Sequence, residues 1–248
     1  AGCHTVWSHY SASSIWNTGR EVVRGASGRS FDLEKARTVG YQRRNGETWY
    51  ADRPTHGRVY TEQEIWDNFT YFIKAIVPVL EETGVRLAFH PDDPPVPELG
   101  GIPRIFSTFE RYERAFEIAN SPNVGIYLGV GSYIEGGKGT GKDILDVIRY
   151  YGEQNKIFKV DFRNVSAPLP HFIETFPDNG YVDMYKVMKA LVEVNNHCAL
   201  CDDHVPHVIG GRRVGDAYAY GYMRALLERA LDEVKEGDRL QWLDTYAL

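Results

Sequence analysis

The chain has 248 residues, a hydrophobic fraction of 43% and a net charge of −6, with 34 acidic against 28 basic side chains. That balance argues against a dedicated nucleic-acid binder, which carries a basic stripe, and no apolar run approaches the ~20 residues of a membrane span. An odd count of 3 cysteines makes no disulfide framework, and no charged-then-apolar leader opens the sequence, so composition points to a cytoplasmic protein with one large α/β domain over 1–248.

The opening "AGCHTVWSHY" reads as a strand, whereas residues 11–59 show no clean periodicity and are expected to form an irregular insertion or lid. From residue 60 the pattern alternates. "TEQEIWDNFTYFIKAIVPVLEETG" predicts a helix opened by a capping box of Thr61 and Glu64 and closed by Gly84. "VRLAFHP" is a strand. "STFERYERAFEIAN" is a helix opened by Ser107 and Glu110, and "VGIYLGVGS" is the next strand. "GKDILDVIRYYG", "YVDMYKVMKALVEVNN" and "DAYAYGYMRALLERALDEVK" predict helices, with "IFKVDFRNV" and "CALCDDHVP" as the strands between them.

Strands alternating with amphipathic helices imply parallel βαβ units. Short apolar runs suit strands covered on both faces. No Rossmann glycine fingerprint follows the first strand, so a (β/α) TIM-barrel-type fold is favoured over a doubly wound sheet. Five strands are predicted where a closed barrel has eight, so the barrel is expected to be incomplete, with about five βα units.

Polar residues fall at the strand C-terminal ends, where such barrels keep their active sites. His90, Asp161 and Asp203 each close a predicted strand. One nitrogen and two carboxylates converging near the axis suit a divalent ion such as Mn²⁺ or Mg²⁺. Each acid alone fits a helix cap or an arginine partner equally well. In "HPDDPP", Asp92 and Asp93 are candidates for orienting groups at the rim, with the prolines fixing the loop. Arg163 and Asn164 lie just beyond Asp161. Arg163 is a candidate clamp for an acidic substrate, with an ion pair to a barrel acid as the equally weighted alternative. Tyr218 and Tyr220 are candidate acids, although helical spacing favours packing for both.

Two motifs carry less. "GGKGTGKD" resembles a phosphate loop, but Asp143 occupies the Ser/Thr position and would repel phosphate, so a loop with Asp143 near a helix start is expected. Cys198 and Cys201 stand at i and i+3 of a strand and face opposite ways, which disfavours a shared metal or a disulfide.

"GVRLAFHPDDPP", "FRNV", "ETFPDNGYVDMYKVMKAL" and "DDHVP", in this order, resemble the mannonate dehydratase family. The resemblance implies a metal-dependent, xylose-isomerase-like barrel that removes water from the small sugar acid D-mannonate, giving 2-keto-3-deoxy-D-gluconate. It implies Mn²⁺ (or Mg²⁺ or Fe²⁺), with His90 and Asp203 matching ligand positions and His204 matching a histidine of proton transfer. Gly129 stands where the family has a ligand cysteine, and Asp161 where it has a histidine. Family chains carry about three further βα units ahead of this region. The open sheet is therefore expected to be a fragment or to be completed by another copy in a homo-oligomer. A sugar isomerase or epimerase on the same scaffold, and a degenerate non-catalytic relative, are the alternatives.

Overall fold

The computed structural model describes residues 4–13, 15 and 17–234. Strand β1 (Thr5–Ser8) is followed by a hairpin of β2 (Gly19–Val23) and β3 (Ala26–Asp32), a short helix α1 (Leu33–Thr38), and the two-residue strands β4 (Tyr41–Gln42) and β5 (Thr48–Trp49). Next come α2 (Glu62–Thr83), β6 (Arg86–Phe89), the small pair β7 (Glu98–Leu99) and β8 (Ile102–Pro103), and α3 (Phe109–Ala119). The chain continues through β9 (Val124–Gly129), α4 (Val130–Glu135), α5 (Ile144–Glu153), β10 (Ile157–Asp161), β11 (Asn164–Val165), β12 (His171–Thr175), α6 (Met184–Glu193), β13 (Ala199–Cys201) and α7 (Arg212–Val234).

The main sheet has five parallel strands in the order β1-β6-β9-β10-β13. Neighbours in space follow one another along the chain without reversal. That order belongs to a barrel wound in one direction, not to an open sheet with a switch point. It is an arc of a TIM-type barrel, with an unpaired edge at each end among the described residues.

Helices cover the outer face. Leu87 and Phe89 of β6, Ile126 and Leu128 of β9 and Val160 of β10 pack in one core with Trp66, Phe69 and Ile73 of α2, Tyr112 of α3, Tyr151 of α5 and Leu191 of α6. Phe89 stacks on Phe106 with ring centroids 4.7 Å apart. The inner face is thinner. Ala88, Tyr127 and Phe158 form a small separate cluster there, and Trp7 is 55% exposed.

The capping box of α2 is present: Thr61 accepts from Glu64 N, and the Glu64 carboxylate accepts from Thr61 N, while Gly84 closes the helix at φ +69°. At α3 the cap is Thr108 rather than Ser107, because the Ser107 hydroxyl turns back to donate to Arg104 O. The predicted "VGIYLGVGS" strand stops at Gly129 and turns into α4.

Residues 11–59 carry more regular structure than their sequence suggests. The hairpin β2–β3 joins β12 and β11 in a four-stranded antiparallel sheet, β11-β12-β3-β2. The glycine-rich loop is a single 3-10 turn, Gly137–Thr140, and the Glu110 carboxylate lies against Gly141, a poor setting for phosphate. Cys198 and Cys201 form no disulfide among the described residues, and burial pushes the Cys198 thiol up to about 12. Among the described residues no helix is long and apolar enough to cross a membrane.

Candidate active site

A cavity of ≈ 420 Å³ opens at the C-terminal ends of the parallel strands, lined by Trp7, His9, Ser11, Ser13, Arg29, Asp93, Arg104 and His204. Its volume lies in the ~300–1,000 Å³ range of small-ligand sites.

His204 follows β13 and has φ +50°, in the left-handed region. Non-glycine residues held there cluster at functional sites. Its Nδ1 lies 2.8 Å from Glu174 Oε1 of β12, and its Nε2 lies 3.2 Å from Asp203 Oδ1. With Nδ1 donating to Glu174, Nε2 is the nitrogen able to exchange a proton. Glu174 fixes the ring and its tautomer. Glu174 is itself 2% exposed and was not singled out in the sequence, where it stands in "HFIET" without a periodic signal.

Arg163 is buried beneath this pair. Its guanidinium meets Asp93 at 3.2 Å, Glu135 at 2.9 Å, Glu174 at 3.1 Å and Asp203 at 3.1 Å, and donates to Ser132 Oγ at 2.7 Å. Burial opposes its charge, but Glu135, Asp93, Glu174 and Asp203 together hold it protonated. A guanidinium so engaged is an internal counter-ion, and this is the alternative weighed for Arg163 in the sequence. Burial pushes the Glu135 carboxyl well up, with Asp93 adding to the effect. Burial also pushes Asp93 up, but the Arg163 guanidinium, with His204 adding to it, outweighs burial and holds Asp93 below the usual carboxylate range.

The other candidates divide. Asp93 reaches the cavity. Asp92 does not: its carboxylate pairs with Arg104 at 3.3 Å and accepts from Phe106 N at 2.8 Å. Asn164 knits its own loop, donating to Pro177 O and Val182 O and accepting from Val165 N. Tyr218 of α7 packs edge-on to Phe176 and beside the Arg24 guanidinium, away from the cavity lining.

The three expected metal ligands each have protein partners. His90 Nδ1 donates to Pro91 O at 2.7 Å, the ring lies against His9 with centroids 4.2 Å apart, and Nε2 points at Gly129. A Cβ built on Gly129 would collide with that nitrogen, so the imidazole fills the space a side chain there would need. Burial, then His9, lowers the His90 pKa well below its ordinary value, so the ring is neutral. Asp161 accepts a short hydrogen bond from the Tyr127 hydroxyl, which accepts one in turn from Lys159, and Lys159 Nζ also lies 3.5 Å from Asp161. Burial and the nearby Asp203 raise the Asp161 carboxyl to about 6. Asp203 is taken by Arg163 and His204. Among the described residues no group of three His, Cys, Asp or Glu side chains is arranged to hold a metal ion. The donor set present does not fit one: protein cations occupy the Asp161 and Asp203 carboxylates, and His90 Nε2 is turned against Gly129.

The sequence model of the D-mannonate dehydratase (UxuA) family matches residues 55–234. The chain belongs to the D-mannonate dehydratase family. The mannonate dehydratase of Streptococcus pneumoniae (strain 70585) is 39% identical over 168 residues, which is 67% of this chain and 44% of that protein. Mannonate dehydratase 2 of Halalkalibacterium halodurans is 34% identical over 175 residues, 69% of this chain and 47% of that protein. The chain thus spans about half the length of the curated relatives it matches. Among solved structures, mannonate dehydratase from Streptococcus suis serotype 2 superposes with a TM-score of 0.75 at 28% identity, covering 92% of this chain and 64% of that one. A xylose isomerase domain protein from Planctomyces limnophilus, at 14% identity, TM-score 0.51 and coverage of 72% and 58%, shares the barrel fold.

Proposed function

We propose that this chain carries the proton-transfer side of a sugar-acid dehydratase site, acting on D-mannonate to give 2-keto-3-deoxy-D-gluconate and water. The observation that carries the reading is the Glu174–His204–Asp203 line at the wall of a cavity of small-ligand size.

Dehydration breaks C2–H and C3–O. The C2–H electron pair becomes the C2=C3 bond, the C3 hydroxyl leaves with a proton as water, and the enol settles as the 2-keto acid. His204 Nε2 is placed to accept the C2 proton or to deliver one to the leaving hydroxyl, with Glu174 keeping Nδ1 protonated and the ring in register. The partly exposed guanidinium of Arg29 at the cavity offsets the substrate's carboxylate charge. No step is assigned to a metal ion, because the donor set does not fit one. Mn²⁺ is the ion to add as a separate arm of the assay.

The test is 2-keto acid formation from D-mannonate, with and without Mn²⁺. His204→Asn should lower the rate by about 10²–10⁴-fold, the usual worth of a general acid–base group. Unchanged turnover in the variant would refute the assignment. A second reading, a relative that binds the acid without converting it, rests on Gly129 and on the protein partners of Asp161 and Asp203. Binding without product in either arm selects it.

A further inference from the structure

Five of the eight residues that line the cavity (Trp7, His9, Ser11, Ser13 and Arg29) precede residue 55, where the family match begins. The floor that positions His204 lies in the matched segment, and much of the wall facing a ligand does not. A ligand in this cavity therefore meets residues outside the match.

Arg29 stands out among them. It sits on β3, whose pairing with β12 runs from His171 opposite Asp32 to Ile173 opposite Ser30, so Arg29 comes level with Glu174. Gly28 makes the approach possible, since a Cβ there would lie 2.5 Å from Glu174 O. Arg29 Nε lies 3.3 Å from Glu174 Oε2, as an ion pair without the alignment of a hydrogen bond, and Oε2 accepts no hydrogen bond among the described residues. The other cavity arginine is committed: Arg104 is 2% exposed and bound to Asp92 and to Ser13 O at 2.8 Å. The Arg29 side chain is 29% exposed, and Glu174 is its one ionic partner among the described residues. A guanidinium with one side on a carboxylate and the other toward a cavity is suited to a two-pronged bond with a second carboxylate.

We propose that Arg29 is the specificity-determining residue of the cavity: it receives the carboxylate of the ligand and, through Glu174, ties that recognition to the position of His204. The proposal rests on the sugar-acid reading for its ligand class, but its test does not depend on turnover.

Binding is measured by calorimetry with D-gluconate and with sorbitol, its uncharged counterpart of equal chain length. The wild-type chain should prefer the acid by about tenfold or more, the worth of a charge-assisted hydrogen-bond pair. Arg29→Gln should bring the two affinities within about twofold, leaving sorbitol binding as it was. Arg29→Lys keeps a cation beside Glu174 and serves if the glutamine variant does not fold; it should retain only part of the preference. A merely structural role for Arg29 would weaken both ligands alike. No preference in the wild type, or an undiminished preference in the variants, overturns the proposal. A chain that shows the Arg29-dependent preference yet makes no 2-keto acid overturns only the dehydratase reading.

Discussion

At the scale of single residues, Gly129 and His90 are the informative pair. Gly129 has φ −71° and ψ 93°, values any residue adopts, so its lack of a side chain is not a backbone requirement. The requirement is steric, because the His90 imidazole occupies the place of a Cβ. Gly129→Ala should therefore cost about 1–3 kcal/mol, the usual penalty of overpacking a closed interior. Urea unfolding checks the cost; an unchanged midpoint would show that His90 moves freely. The same contact fixes where His90 Nε2 points, toward Gly129. Strand alternation correctly places His90, Asp161 and Asp203 at strand ends, but it says nothing of Tyr127, Lys159 and Arg163, which claim the two carboxylates.

At the scale of elements, helix α2 shows how local chemistry fixes a boundary. Thr61→Ala removes the side-chain acceptor for Glu64 N and should lower stability by about 1 kcal/mol, measurable by thermal melting. Glu64 is held at about 2, mainly by Arg58 and then by the Thr61 backbone. A depressed carboxylate adds stability above its ordinary value of about 4.3 and loses it as pH falls toward 2. Glu64→Gln should flatten that part of the acid limb in a melting series from pH 5 to pH 2. Such caps were legible in the sequence, as were the five parallel strands and the helices between them, because each is written in contiguous residues. The hairpin β2–β3 was legible only in part. Its two-residue turn, Arg24-Gly25 with φ +49° and +77°, is a local hairpin signal that was passed over, whereas the "ASGRSFD" strand is small and polar and its pairing with β12, some 140 residues later, has no local mark. Arg29 and Glu174 were missed for that reason. His204 was found only through its strand-end position and motif.

At the scale of the whole molecule, the five-stranded arc should not be uniformly stable. Every residue of β9 is buried and the strand is paired on both sides, whereas among the described residues β1 and β13 are paired on one side only. Hydrogen exchange is expected to be slowest at β9 and fastest in β1 and β13. Equal protection across the sheet would mean that the two edges are covered in solution.

The setting of Arg163 has a bearing on how the chain holds this shape. Its counter-charges come from the loop after β6, from α4, from β12 and from the turn beyond β13. Withdrawing a guanidinium from water is strongly unfavourable until such partners surround it. A partly assembled chain lacking any one of these segments would leave that charge inadequately matched. Because Glu174 comes from the antiparallel sheet and the other three carboxylates from segments of the arc, this one buried guanidinium couples the stability of the two sheets.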